Sequence, residues 1–153
     1  MTEELATRKL EFHTGNAAET IGIGAQLLDV LRPPILLILT GTLGAGKTTL
    51  VKGIAEALHA ANPDEVTSPT FTLVHEYEGE RDGRPVSLYH LDLYRLENER
   101  QVEQLGIDEL MEEDSIVLVE WGEKFASIQR RAAGEIVIET AGGDQRSIVV
   151  RLR

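Results

Sequence analysis

Two unbroken apolar runs interrupt a chain that elsewhere alternates or repeats its hydrophobic positions. Ile35-Leu36-Leu37-Ile38-Leu39 and Ile116-Val117-Leu118-Val119 have strand length and show no polar face. That pattern predicts strands covered on both sides, as in the parallel sheet of an α/β protein. Residues 71–77 and 85–91 alternate instead, which predicts two further strands, and the segment 79–83 between them, with Gly79 and Gly83, has the composition of a hairpin turn. Residues 135–140 and 147–152 predict a closing pair of strands around Gly142-Gly143, and residues 9–13 a short strand at the start.

Helical spacing fills the intervals. Ala17, Ile21, Gly24, Leu28 and Leu31 share one face behind Asn16 and Glu19, a capping-box pair, and Arg32-Pro33-Pro34 ends that helix. Leu50, Ile54, Ala57 and Leu58 mark a second helix from Lys47 to His59, stopped at Asn62-Pro63-Asp64. Residues 97–110 predict an acidic amphipathic helix broken at Gly106. Helices alternate with strands in the first half and antiparallel pairing follows. The expected fold is therefore one α/β domain over residues 1–153, with a mixed parallel and antiparallel sheet flanked by helices.

The stretch Gly41-Thr42-Leu43-Gly44-Ala45-Gly46-Lys47-Thr48 changes the picture from fold to chemistry. It matches G-x4-G-K-[ST], a pattern that ordinary composition produces in roughly one chain of this length in a few hundred. It also lies between a buried strand and a helix, where such a loop works. Glycines let consecutive amides, those of Leu43 and Ala45 included, converge as an anion nest at a helix N-terminus. Lys47 would place its charge between the β- and γ-phosphates of a nucleotide, Thr48 would ligate Mg²⁺, and Thr49 is placed for the α-phosphate. A single domain of the P-loop NTPase type follows. Its Mg²⁺ shell needs an acid at a neighbouring strand end; Glu120, after the second apolar run, and Asp92, after a more amphipathic strand, both qualify. Trp121 could stack on a base, with core packing the default for a lone tryptophan. His90 could serve as a base, but a single histidine on a strand is more often structural. Ser68-Pro69-Thr70-Phe71-Thr72 could sense the γ-phosphate or cap a turn.

Composition narrows what remains. The chain has no cysteine, which removes disulfides, thiolate metal sites and cysteine nucleophiles. Fifteen basic residues against 26 acidic ones give a net charge of −11, a field that opposes direct nucleic-acid binding. No apolar run has the length of a membrane span, and residues 1–11 lack the apolar stretch of a signal peptide, so the expected location is the cytoplasm.

Four blocks, taken in order, resemble the TsaE family, the P-loop ATPases of bacterial tRNA threonylcarbamoyladenosine (t6A) formation. They are the loop 41–49, Ser68-Pro69-Thr70-Phe71-Thr72-Leu73-Val74, His90-Leu91-Asp92-Leu93-Tyr94-Arg95-Leu96 and Val119-Glu120-Trp121. The resemblance runs from about residue 10 to the end. It implies ATP and Mg²⁺ as ligands, with slow hydrolysis that resets a complex containing TsaD and TsaB and reaches tRNA only through that complex. It carries Mg²⁺ coordination onto Thr48 and Glu120, an essential acid near the phosphates onto Asp92, nucleotide proximity onto Trp121 and a switch-like role onto residues 68–74. This chain departs from the family in having Thr42 where an aspartate is usual, and Gly143 and Arg146 match the family's glycine-to-arginine turn only loosely. A small-molecule P-loop kinase and a nucleotide-gated binding module without turnover are the alternatives. The first lacks support from any arginine-rich lid, since Arg81 and Arg84 lie in an acidic hairpin.

Overall fold

The computed structural model describes residues 8–42, 44–70 and 72–153. Its elements are β1 (Arg8–Thr14), α1 (Ala17–Leu27), β2 (Ile35–Thr40), α2 (Lys47–Ala57), β3 (Val74–Arg81), β4 (Arg84–Asp92), α3 (Glu99–Gln104), α4 (Ile107–Leu110), β5 (Ser115–Glu120), α5 (Ala126–Arg131), β6 (Gly134–Thr140) and β7 (Arg146–Leu152). The strands form one seven-stranded sheet in the order β1-β7-β6-β2-β5-β4-β3. The inner four, β6, β2, β5 and β4, run parallel, while β1, β7 and β3 add antiparallel edges. The expected mixed α/β architecture is thus observed.

The two apolar runs form β2 and β5, neighbours at the middle of the sheet, and β5 is buried along its whole length. Successive strand residues point to opposite faces, so both faces need cover. One face carries Leu37, Leu39, Ile116 and Leu118 beneath α1 and α2; the other carries Leu36, Ile38, Val117 and Val119 against α3, α4 and α5. The helices α1 and α2 approach each other at Gly24 and Gly53. A Cβ on Gly53 would overlap the carbonyl of Ile21, and one on Gly24 the backbone of Gly53.

Several expected boundaries shift. Helix α1 ends at Leu27, before the prolines, although Val30 and Leu31 remain buried beyond it. Asn16 Oδ1 accepts from the Glu19 amide at 2.9 Å, but the Glu19 carboxylate takes the amide of Gly15 rather than that of Asn16. The hairpin turn contracts to Asp82-Gly83, both at positive φ, so Gly79 belongs to β3. Phe71, the expected start of that strand, lies outside the described residues. Gly106 breaks the acidic helix as expected, at φ 70° between α3 and α4. Helix α5 has no counterpart among the expected elements: six residues with one buried position, Ile128, are too short to show a period.

Candidate functional site

The four parallel inner strands have their carboxyl ends at the end of the sheet where the glycine loop begins. Strand β2 leads through the loop into α2, and register pairs Leu39 with Glu120 and Glu120 with Asp92. The carboxyl ends of parallel strands are where α/β folds gather their ligand chemistry. Period-two alternation continues Leu88 on β4 into His90 and Asp92, and Leu118 on β5 into Glu120, all on the α2 side of the sheet. Three polar side chains thus extend an apolar row beyond the core, next to the start of α2.

The loop itself ends on Gly46, the residue preceding α2, at φ 106° and ψ 21°. A side chain is disfavoured there, and the left-handed conformation turns the chain into the helix. The Ala45 amide closes a tight turn on the Thr42 carbonyl at 2.9 Å. Thr48 and Thr49 follow Lys47 on the first turn of α2, half-buried; Thr42 is exposed; Leu43 lies outside the described residues.

Lys47 is the centre of the arrangement. Its Nζ donates to the Gly41 carbonyl at 2.8 Å, lies 3.4 Å from Glu120 Oε1 and sits 5.9 Å from the Trp121 ring centroid. Glu120, 5% exposed, turns its other oxygen to His90 Nε2 at 2.6 Å. A carboxylate accepts, so Nε2 is the protonated ring nitrogen. Burial pushes the Glu120 carboxyl up, but the hydrogen bond and charge of His90, followed by those of Lys47, outweigh it and hold the group below the ordinary glutamate value. His90 is fully buried, and its Nδ1 has no hydrogen-bond partner among the described residues.

Asp92, also 5% exposed, accepts from the Tyr94 amide at 2.9 Å and from the Thr70 hydroxyl at 3.2 Å. Thr70 in turn meets Ser68 at 2.8 Å, so the hydroxyl-rich loop is tied to the strand-end acid. Trp121 does not pack in the core. It is 37% exposed, sits at φ 64° in the left-handed region and lies 5.1 Å from the Tyr94 ring, itself 58% exposed. A bulky residue in that region is strained by about 1 kcal/mol or more, and such strain gathers at functional sites.

Of the residues singled out from sequence, Lys47, Asp92, Glu120 and Trp121 lie together at the carboxyl ends of the inner strands, beside Gly41, Thr42, Gly44, Ala45, Gly46, Thr48 and Thr49. Two partnerships lie beyond what the sequence shows. The alternation Leu88, His90, Asp92 places the histidine on the acid's face, a signal that is readable only once β4 is known to lie beside β5. Arg146 reaches the loop from β7, donating from Nε to the Ala45 carbonyl at 2.7 Å; nothing local in the sequence marks a contact across 101 positions.

The donor set suits a hard cation and a polyphosphate: one hydroxyl, two carboxylates, one ammonium and a glycine-rich turn. Among the described residues no group of three or more His, Cys, Asp or Glu could enclose a metal. That is compatible with Mg²⁺, which keeps several waters and takes phosphate oxygens alongside one or two protein ligands.

An α/β domain whose central parallel strand runs through a glycine-rich loop into a helix, with acids on the adjoining strand tips, is a protein of the P-loop class. The TsaE family model, described as threonylcarbamoyl adenosine biosynthesis protein TsaE, matches residues 14–148. The chain is 40% identical over 141 residues to the tRNA threonylcarbamoyladenosine biosynthesis protein TsaE of Bacillus subtilis, covering 92% of this chain and 84% of that one. The TsaE of Treponema pallidum is 33% identical over 135 residues, covering 88% and 95%. The crystal structure of Bacillus subtilis YdiB superposes with a TM-score of 0.67 at 34% identity, over 95% of this chain and 86% of that one. The chain belongs to the TsaE family of t6A biosynthesis proteins.

Proposed function

We propose that this chain is a Mg²⁺-dependent ATPase subunit in the transfer of threonylcarbamoyl to tRNA adenosine, working with TsaD and TsaB and resetting their complex through ATP hydrolysis. The observation that carries the reading is the meeting of Lys47, Glu120 and the glycine loop at the carboxyl end of β2 and β5. Membership of the family supplies the pathway, and the net charge of −11 favours contact with tRNA through partners rather than directly.

In this reading the amides of the loop and the first turn of α2 bind the phosphates, and Lys47 binds the β- and γ-phosphoryl oxygens, for which it gives up Glu120 or shares it. Thr48 and Glu120 would hold Mg²⁺, which when bound neutralises phosphate charge during transfer to water. Asp92, fixed by Thr70 and the Tyr94 amide, orients polar groups beside the terminal phosphate and couples them to residues 68–70. Trp121 offers an exposed aromatic face for the base. None of these groups forms a covalent bond to the nucleotide; they position and stabilise charge.

Reconstitution tests the reading. With TsaD, TsaB, a threonylcarbamoyl-adenylate synthase, tRNA and ATP, the wild-type chain should support multiple turnovers of t6A, and Lys47→Ala should not. Undiminished multiple turnover with Lys47→Ala, or without the chain, would overturn it.

A further inference from the structure

Arg146 spends its guanidinium on main-chain carbonyls. Nε donates to Ala45 O at 2.7 Å and Nη2 to Gly44 O at 3.3 Å, both in the glycine loop. Nη1 donates to Gly143 O at 2.7 Å and Gln145 O at 2.8 Å, both in the turn that joins β6 to β7. One rigid cation therefore bridges two loops that lie far apart in sequence. The turn is itself well anchored: Gln145 and Gly142 close it with a 2.9 Å hydrogen bond, and β6 and β7 pair on both sides of it.

We propose that Arg146 is a positioning residue that holds the carbonyls of Gly44 and Ala45 on the β7 side of the glycine loop, so that the loop is ordered before a phosphate arrives. A peptide unit is planar, so fixing where a carbonyl points also fixes the following N–H on the opposite side. Tying down the Ala45 oxygen sets the N–H of Gly46, and tying down that of Gly44 holds the Ala45 N–H in its turn with Thr42 O; a glycine-rich turn without such a tether has many conformations to lose on binding. The planar fork of arginine suits the task, since it addresses divergent carbonyls at once; a lysine ammonium cannot span both loops. The same geometry argues against Arg146 as a direct phosphate contact, because four of its hydrogen bonds already go to the protein. The inference rests on the loop being the phosphate site proposed above.

The test compares wild type, Arg146→Ala and Arg146→Lys, using fluorescence titration with ATP and with ADP in Mg²⁺ at a temperature where all three are folded. Arg146→Ala should raise the Kd of ATP and ADP by the same factor, about tenfold or more, with Arg146→Lys rescuing only partly. A structural role alone would lower the melting temperature and leave both affinities of the folded protein unchanged; that result overturns the proposal. Loss of ATP affinity alone would indicate direct contact with the γ-phosphate and overturns it too. Amide exchange without nucleotide gives an independent readout: the buried Ala45 amide, bonded to Thr42 O, should exchange about tenfold faster in Arg146→Ala, and equal exchange would also overturn the proposal. If wild type bound neither nucleotide, the functional reading would fail, while the exchange rates would still decide whether Arg146 orders the loop.

Discussion

Glu120 has a separate partner for each of its two oxygens: Lys47 on one side at 3.4 Å, His90 on the other at 2.6 Å. Both neighbours offset the cost of burying a carboxylate, and His90 is itself fully buried. His90→Ala should therefore destabilise the fold by about 3 kcal/mol, through a cavity and a carboxylate left with one partner. Urea denaturation should show a lower midpoint with an unchanged slope; a midpoint within error of wild type would mean that Glu120 does not depend on the histidine. Glu120→Gln behaves differently in this scheme, because the amide retains the shape while losing the charge. Mg²⁺-dependent hydrolysis should fall by more than nucleotide affinity, and hydrolysis at the wild-type rate would remove Glu120 from the mechanism. The sequence singles out the acid from its place after an apolar run, but not its partner, since pairing across strands depends on sheet order.

At the scale of elements, what is legible in the chain is what local physics decides. Continuous apolar runs announce the two central strands, and Gly106 announces a break, because burial on two faces and positive φ leave local marks. Edges, short helices and neighbour relations do not. Helix α5 has one buried side chain, and the extension of β3 to Arg81 depends on partners in β4. The contact of α1 with α2 is equally hidden: Gly53 reads as a weak point in a helix, yet it is where Ile21 O packs. Gly53→Ala should cost about 1–3 kcal/mol despite the better helix propensity of alanine. Gly22, on the exposed side of α1, has nothing within 4 Å of where a Cβ would stand, so Gly22→Ala should stabilise by about 0.5–1 kcal/mol. Thermal or chemical denaturation of the pair checks this. Equal effects of the two substitutions would mean that propensity, not helix approach, sets the cost.

For the molecule as a whole, the proposed site places two cations, Lys47 and Arg146, within a chain of net charge −11. An incoming nucleotide is itself an anion, so the far field and the near field act with opposite sign. Ionic strength separates them, because screening sets the distance over which a ligand senses charge: about 30 Å at 0.01 M and about 8 Å at 0.15 M. At low salt the nucleotide feels the acidic body; at higher salt it feels mainly the loop it is about to enter. The association rate constant for Mg²⁺-bound nucleotide should accordingly rise between these two conditions, against the usual fall for an anion entering a cationic pocket. Magnesium-free nucleotide carries more charge and should show the steeper rise. Stopped-flow mixing with a fluorescent ATP analogue reads both directly. A severalfold fall with salt would mean that Lys47 and its neighbours govern the approach from long range, and that the acidity of the chain has no part in how the nucleotide arrives.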